Sequence, residues 1–434
     1  MRERSRWSRT ILLPPASDPT IAAFSTSAAM LIAARATLGV AAATRMPSTL
    51  ALISNLFADP RERALAFGIW ATIFGVDYAL GPVLGGYLLE QFWWGATFLL
   101  AVPIVALLLV LAPILLPEYR APNAGRIDLF NVAISLAAML PVIYGIKQIA
   151  KYGFAPDAIG AIAAGLVFAV LFVRRQRRLS DPLVDMSLFG NRAFSVALIV
   201  LLVGLVAVGG TMLLSAQYLQ LVAGYAPFAA GLWMGLAALG MIAGGVGAPL
   251  LARSIRPGFV VAGSLVLSAV GYLMLAGVGN GGASIAVVVA GLGLAYLGNG
   301  LIAALGTDLV VGAAPPEKAG SASAMSETVQ DTGVSIGIAV LGSLATAVYR
   351  RTMLDHMPDN LAEDTREAVS DSLWAASAIA PDLPIGLIEE AQIAFTAGFN
   401  SAAVVSAISM IVLAILSAVA LRHVGTLGQS DERS

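Results

Sequence analysis

Glu327 and Asp331 stand four residues apart in "SETVQDTG", and Asp77 stands inside "FGVDYALGPVLGG" (Phe74–Gly86). Four-residue spacing turns two side chains to the same face of a helix. Burial and a like-charged neighbour both favour the protonated form of a carboxylate. A pair of this kind holds a proton near neutral pH and releases it when a cation arrives, which is the minimum that a proton exchanger needs. Asp77 comes four residues before a Gly-Pro pair and eight before a Gly-Gly pair. Arg35, Arg45 and Asp308 are further charges within apolar runs. The candidates for proton or substrate coupling are therefore Asp331, Glu327, Asp77, Arg35 and Asp308. For Asp308, near a helix end, simple hydration is the competing reading; for Arg35 it is snorkelling to the nearby surface.

Other chemistries find no footing. "GVSIG" (Gly333–Gly337) matches G-x-S-x-G, but a nucleophile elbow needs a strand-to-helix turn and a histidine partner. Here the serine falls in mid-helix, and of the two histidines His356 lies in the outer loop and His423 at the end of the last helix. No Walker A sequence occurs, so ATP is not the expected direct energy source. Neither a metal site nor a cofactor is expected, and with no cysteine there is no thiol chemistry. A net charge of -1, its basic residues spread over many loops, gives no sign of nucleic acid, and none is expected as a partner.

The elements that must hold these charges are membrane helices. Of 434 residues 58% are hydrophobic and 12% charged, against about 25% charged in a soluble chain. Eleven apolar segments reach spanning length: 29–56, 64–89, 93–116, 129–150, 157–173, 194–220, 227–252, 258–278, 284–310, 321–348 and 394–422. They are too long and continuous for barrel strands. One set of alternate loops, with the C-terminal tail, carries 14 Lys and Arg against 5 in the other set. The positive-inside rule puts the first set and the C-terminus in the cytoplasm. The outer loop at about 350–393 contains "LAEDTREAVSDSLW", which predicts a solvated amphipathic helix. Eleven spans then leave the N-terminus outside, although residues 1–20 carry Arg2, Arg4, Arg6 and Arg9. The "ILL" before Pro14 and Pro15 is too short for a signal-peptide core.

Several spaced motifs agree in order with one family. "LIAARATLGVAAA" (Leu31–Ala43) resembles the R-x-x-x-G motif of the major facilitator superfamily, here Arg35 and Gly39. "GPVLGG" resembles the antiporter motif of its proton-coupled drug exporters. "SETVQDTG" looks like the acidic helix of the fourteen-helix QacA/SmvA-type exporters, with Glu327 and Asp331 in the matching places. The likeness runs from about Thr20 onward, and only "IAAFSTSAA" resembles the end of the family's third helix. Arg45 and Asp77 depart from it, because the family is uncharged at both positions.

The resemblance implies an all-α polytopic major facilitator fold that lacks its first two to three helices. Fourteen helices in place of eleven would bring both ends inside. Residues 1–20 are expected to be aberrant or disordered, 21–116 to be a remnant of the N-terminal bundle, 117–192 an extra helix pair with its cytoplasmic linker, and 193–434 a six-helix C-terminal bundle. The implied function is proton-coupled efflux of lipophilic or cationic compounds by a monomer in a bacterial inner membrane. The alternatives are a non-transporting remnant and a facilitator for another solute. Pro82 should kink its helix. Gly75, Gly81, Gly85 and Gly86, read as lying largely along one face, should allow close helix approach. Arg45 and Asp77 reach similar depths, about 16 and 20 Å at the helical rise. They are expected to form an intramembrane ion pair.

Overall fold

In hydrocarbon every backbone N–H and C=O needs an internal partner, which leaves only helices and closed barrels. The computed structural model describes residues 14–43, 60–115, 128–179, 182, 184–279, 285–315, 318–358 and 361–422. Among them all regular structure is helical: α1 (Pro14–Ala23), α2 (Ala28–Ala43), α3 (Pro60–Gln91), α4 (Ala96–Leu99), α5 (Ala101–Leu115), α6 (Leu129–Tyr152), α7 (Pro156–Gln176), α8 (Arg192–Gln217), α9 (Pro227–Ser254), α10 (Pro257–Ala276), α11 (Ile285–Gly312), α12 (Ala319–His356), α13 (Glu363–Asp371), α14 (Leu373–Ala378) and α15 (Leu387–Ala420). Eight of these, α6 to α12 and α15, are long and apolar enough to cross a membrane. They coincide with the last eight apolar segments of the sequence. The segment 64–89 lies within α3, and 93–116 is interrupted at Leu100, between α4 and α5. Only the first part of 29–56 is described, as α2, so Arg45 lies outside the described residues.

Residues 1–13 are likewise outside them. From Pro14, part of the stretch expected to be irregular, the chain is helical through Pro19 to Ala23. A break at residues 24–27 separates α1 from α2. Ala22 and Ala23 are buried, the Phe24 ring lies 5.8 Å from that of Trp93, and Arg35 sits 5.6 Å above the Phe98 ring.

Helices α8 to α12 and α15 pack into one bundle: α8 against α11, α12 and α15, α11 against α9 and α10, and α15 against α10 and α12. Small residues set the close crossings, as membrane interfaces favour. A Cβ on Gly333 or Gly337 would strike the Leu202 or Val206 carbonyl of α8. The "GVSIG" run is therefore a packing face. The hydroxyl of its serine, Ser335, donates to the Asp331 carbonyl at 3.0 Å.

Beside this bundle α6 and α7 form a hairpin, turned at Gly153 with φ 81°, and α6 packs on α12. At the other end Arg175 donates to Asp128 at 2.9 Å and to Asn131 at 2.6 Å, and lies 4.8 Å over the Phe130 ring. Helix α12, with 38 residues, is about 57 Å long and outreaches a hydrocarbon core of roughly 30 Å. Its far end anchors the loop that follows: the Tyr349 hydroxyl donates to the Val369 carbonyl at 2.7 Å. The single amphipathic helix expected there is two, α13 and α14. They part at Ser372, whose hydroxyl caps α14 at Ala375 N. Val369 of α13 and Leu373 of α14 are both buried.

Candidate functional site

The site begins where α3 crosses α9, the most extensive contact that α3 makes. A Cβ on Gly75 would fall 2.6 Å from Ile242, and one on Gly86 would strike the Pro227 carbonyl. From the other side, Gly231 faces the Pro82 carbonyl, and a Cβ on Gly235 would come 2.7 Å from the Ala79 carbonyl. The expectation of one glycine face needs correcting. At roughly 100° per residue, Gly75 and Gly86 share a face, while Gly81 and Gly85 point elsewhere. Nothing lies within 4 Å of a Cβ on either of those two. Pro82 sits inside a helix that continues past it. Its ring removes the N–H that would have bonded one turn back, which frees the Tyr78 carbonyl.

Tyr78 is half-buried on α3 and lies within electrostatic reach of both Asp77 and Asp331. Asp331 belongs to the acidic stretch of α12. There Glu327 is 8% exposed. Neither of its carboxylate oxygens has a hydrogen-bond partner among the described residues. Asp331, one turn on and within electrostatic reach of Glu327, is exposed. A buried, unpartnered carboxylate is costly when charged, and binding a proton relieves that cost. That is a chemical capacity to hold and release one.

Behind Tyr78 runs a polar thread that apolar periodicity does not announce. Tyr296 of α11 is within electrostatic reach of Tyr78 and of Tyr272. The Asn299 side-chain amide donates to the Ala295 carbonyl at 2.8 Å and to the Tyr272 hydroxyl at 3.3 Å. Thr211 of α8, electrostatically coupled to Tyr272, donates its hydroxyl to the Ala207 carbonyl at 2.6 Å. Thr211, Tyr272 and Asn299 are fully buried. The Tyr296 hydroxyl and Asn299 Oδ1 remain without a protein partner among the described residues. The signal that marks this thread is an asparagine within the apolar run "GLAYLGNGLIAA", three residues after a tyrosine.

The remaining candidates are scattered. Asp77 is exposed, and its expected partner Arg45 lies outside the described residues. Arg35 meets Phe98, away from the acidic pair. Asp308 is exposed near the end of α11, and its side chain forms no hydrogen bond or ion pair among the described residues. Just before α12, Lys318 bonds Asp185 at 2.6 Å and Ser187 at 3.0 Å. Asn191 donates to the Ala313 carbonyl at 3.3 Å. These contacts clasp the linker before α8 to the turn that launches α12. Hydrogen bonds from Lys318 and then Ser187 hold the Asp185 carboxyl down at about 2.

Comparison with known proteins bears on what such a site does. The sequence model of the Major Facilitator Superfamily matches residues 16–338. The "Multidrug efflux pump LfrA" of Mycolicibacterium smegmatis is 38% identical over 407 residues, covering 93% of this chain and 80% of that protein. The "Methyl viologen resistance protein SmvA" of Salmonella typhimurium is 31% identical over 402 residues, covering 90% and 79%. Among solved structures, a bacterial homolog of the human lysosomal transporter Spinster, inward-facing, superposes with a TM-score of 0.56 at 16% identity. That match covers 95% of this chain and 82% of the other, and it speaks to the fold.

Proposed function

Because the chain belongs to the major facilitator superfamily, we propose that it exports lipophilic, often cationic, compounds from the cell in exchange for protons. One observation carries the proton half of this reading. Glu327, buried and unpartnered, shares a helix face with Asp331, which lies near the tyrosine that α3 contributes. The relatives, an efflux pump and a resistance protein by name, support the drug half.

In this mechanism the acidic pair carries a proton while the site is empty. An arriving cation offers its own charge to the carboxylates and displaces that proton. Tyr78, on the opposing helix, senses which of the two is present. The helices then rock about the smooth α3/α9 crossing, as alternating access requires, and release the cargo on the far side. There a proton rejoins the carboxylate and resets it. On the same reading the basic loops and the C-terminus face the cytoplasm, and the monomer is the working unit.

Proton release on binding is directly measurable. In weakly buffered detergent near pH 7, tetraphenylphosphonium added to the purified chain should acidify the solution, as a pH indicator reports. The Glu327→Gln/Asp331→Asn double variant should give no acidification. Cation binding without proton release from the unaltered chain would contradict the exchange.

A further inference from the structure

We propose that Glu90 is a latch, closing the outer ends of α3 and α9 and releasing before the central site opens outward. The inference rests on the exporter reading for its purpose but on geometry for its existence. The Phe228 backbone N–H donates to Glu90 Oε1 at 2.7 Å, across 138 residues of sequence. Phe228 is the second residue of α9, after Pro227. Proline has no N–H, so Phe228 offers the first of the donors that a helix start leaves unpaired.

Glu90 stands one residue from the C-terminal end of α3. That end carries the negative pole of its own helix, where a carboxylate is poorly placed. The positive pole of α9 is where its charge is welcome, so the contact favours the closed arrangement of the two helices. Two further residues on the same side of α3 converge there. The Tyr87 ring meets the Phe228 ring edge-on at 6.0 Å, and Gly86 abuts the Pro227 carbonyl. Below this point the crossing is made by Pro82, Ala79 and Gly75 against Gly231, Gly235 and Ile242. Those are contacts of small groups and apolar surface, which separate without breaking a charge-assisted bond. Glu90 supplies the one polar tie at the outer end among the described residues.

The test uses the chain's lack of cysteine. Val83 faces Gly231 and Gly235 in the closed crossing, so Val83→Cys reports its parting to a membrane-impermeant maleimide. With Glu90→Ala added, labelling from the outer face should rise roughly tenfold, the scale of a lost charge-assisted hydrogen bond. Labelling from the inner face should not rise. Glu90→Gln, which keeps an acceptor but no charge, should fall between and decides the matter if the alanine variant does not fold. Unchanged outer labelling, or an equal rise from both faces, overturns the latch. The assay needs no substrate. Faster labelling in a chain that exports nothing would therefore sink the exporter reading and leave the latch standing.

Discussion

Asp185 and Glu327 are both acids, and their neighbours give them opposite uses. Asp185 has the Lys318 ammonium at 2.6 Å and titrates at about 2. Its folded value lies below the unfolded one of about 3.9, so its stabilisation is present above pH ~4 and is lost as pH falls toward 2. The clasp before α12 is therefore constant through the physiological range and is no pH switch. Asp185→Asn should lower stability by about 0.2–1 kcal/mol, discounted for the pair's exposure to water. Thermal unfolding should show the same deficit from pH 8 to pH 5; a deficit that fades by pH 6 would refute this. Glu327 has no such partner among the described residues, as the proposed proton exchange requires. Its pairing with Asp331 was legible, because i,i+4 spacing is a property of sequence. Tyr78 and Asn299 were not singled out. An isolated tyrosine or asparagine in an apolar run is ambiguous until its neighbours on other helices are known. Electrostatic reach from Tyr78 to Asp331 spans α3 and α12 and leaves no trace in local spacing.

Between helices, close approach decides which glycines matter. Gly85 and Gly86 are adjacent in the motif, yet only Gly86 abuts α9. Gly86→Val should push against the Pro227 backbone and destabilise the α3/α9 crossing by about 1–3 kcal/mol, the scale of overpacking. Gly85→Val should be far milder. Thermal stability of the two purified variants checks this, and equal losses would contradict the assigned face. The helix pattern itself was largely readable, since continuous apolar runs of spanning length admit little else in lipid. The breaks at Leu100 and Ser372 were not. Pro103, near the start of α5, offered a local signal for the first. The second has no proline or glycine beside it to announce it.

At the scale of the molecule, a six-helix bundle carries the acidic pair on α12, and α3 packs against its α9, with Tyr78 within electrostatic reach of Asp331. In the proposed mechanism a rocking motion about that crossing exposes the pair to one side and then the other. The apolar composition and the ordered motifs made this architecture legible. The placement of Arg45 beside Asp77 falls outside the described residues and stays an expectation from depth alone.

The central claim, proton exchange through the acidic pair, is tested most directly in inside-out vesicles holding the full chain, with an acidic lumen and no other energy source. A lipophilic cationic dye added outside should accumulate in the lumen while lumenal protons leave. Collapsing the gradient should stop both, and Asp331→Asn should abolish both at intact protein level. Dye accumulation that ignores the gradient, or that persists in coupled form in Asp331→Asn, would contradict the account.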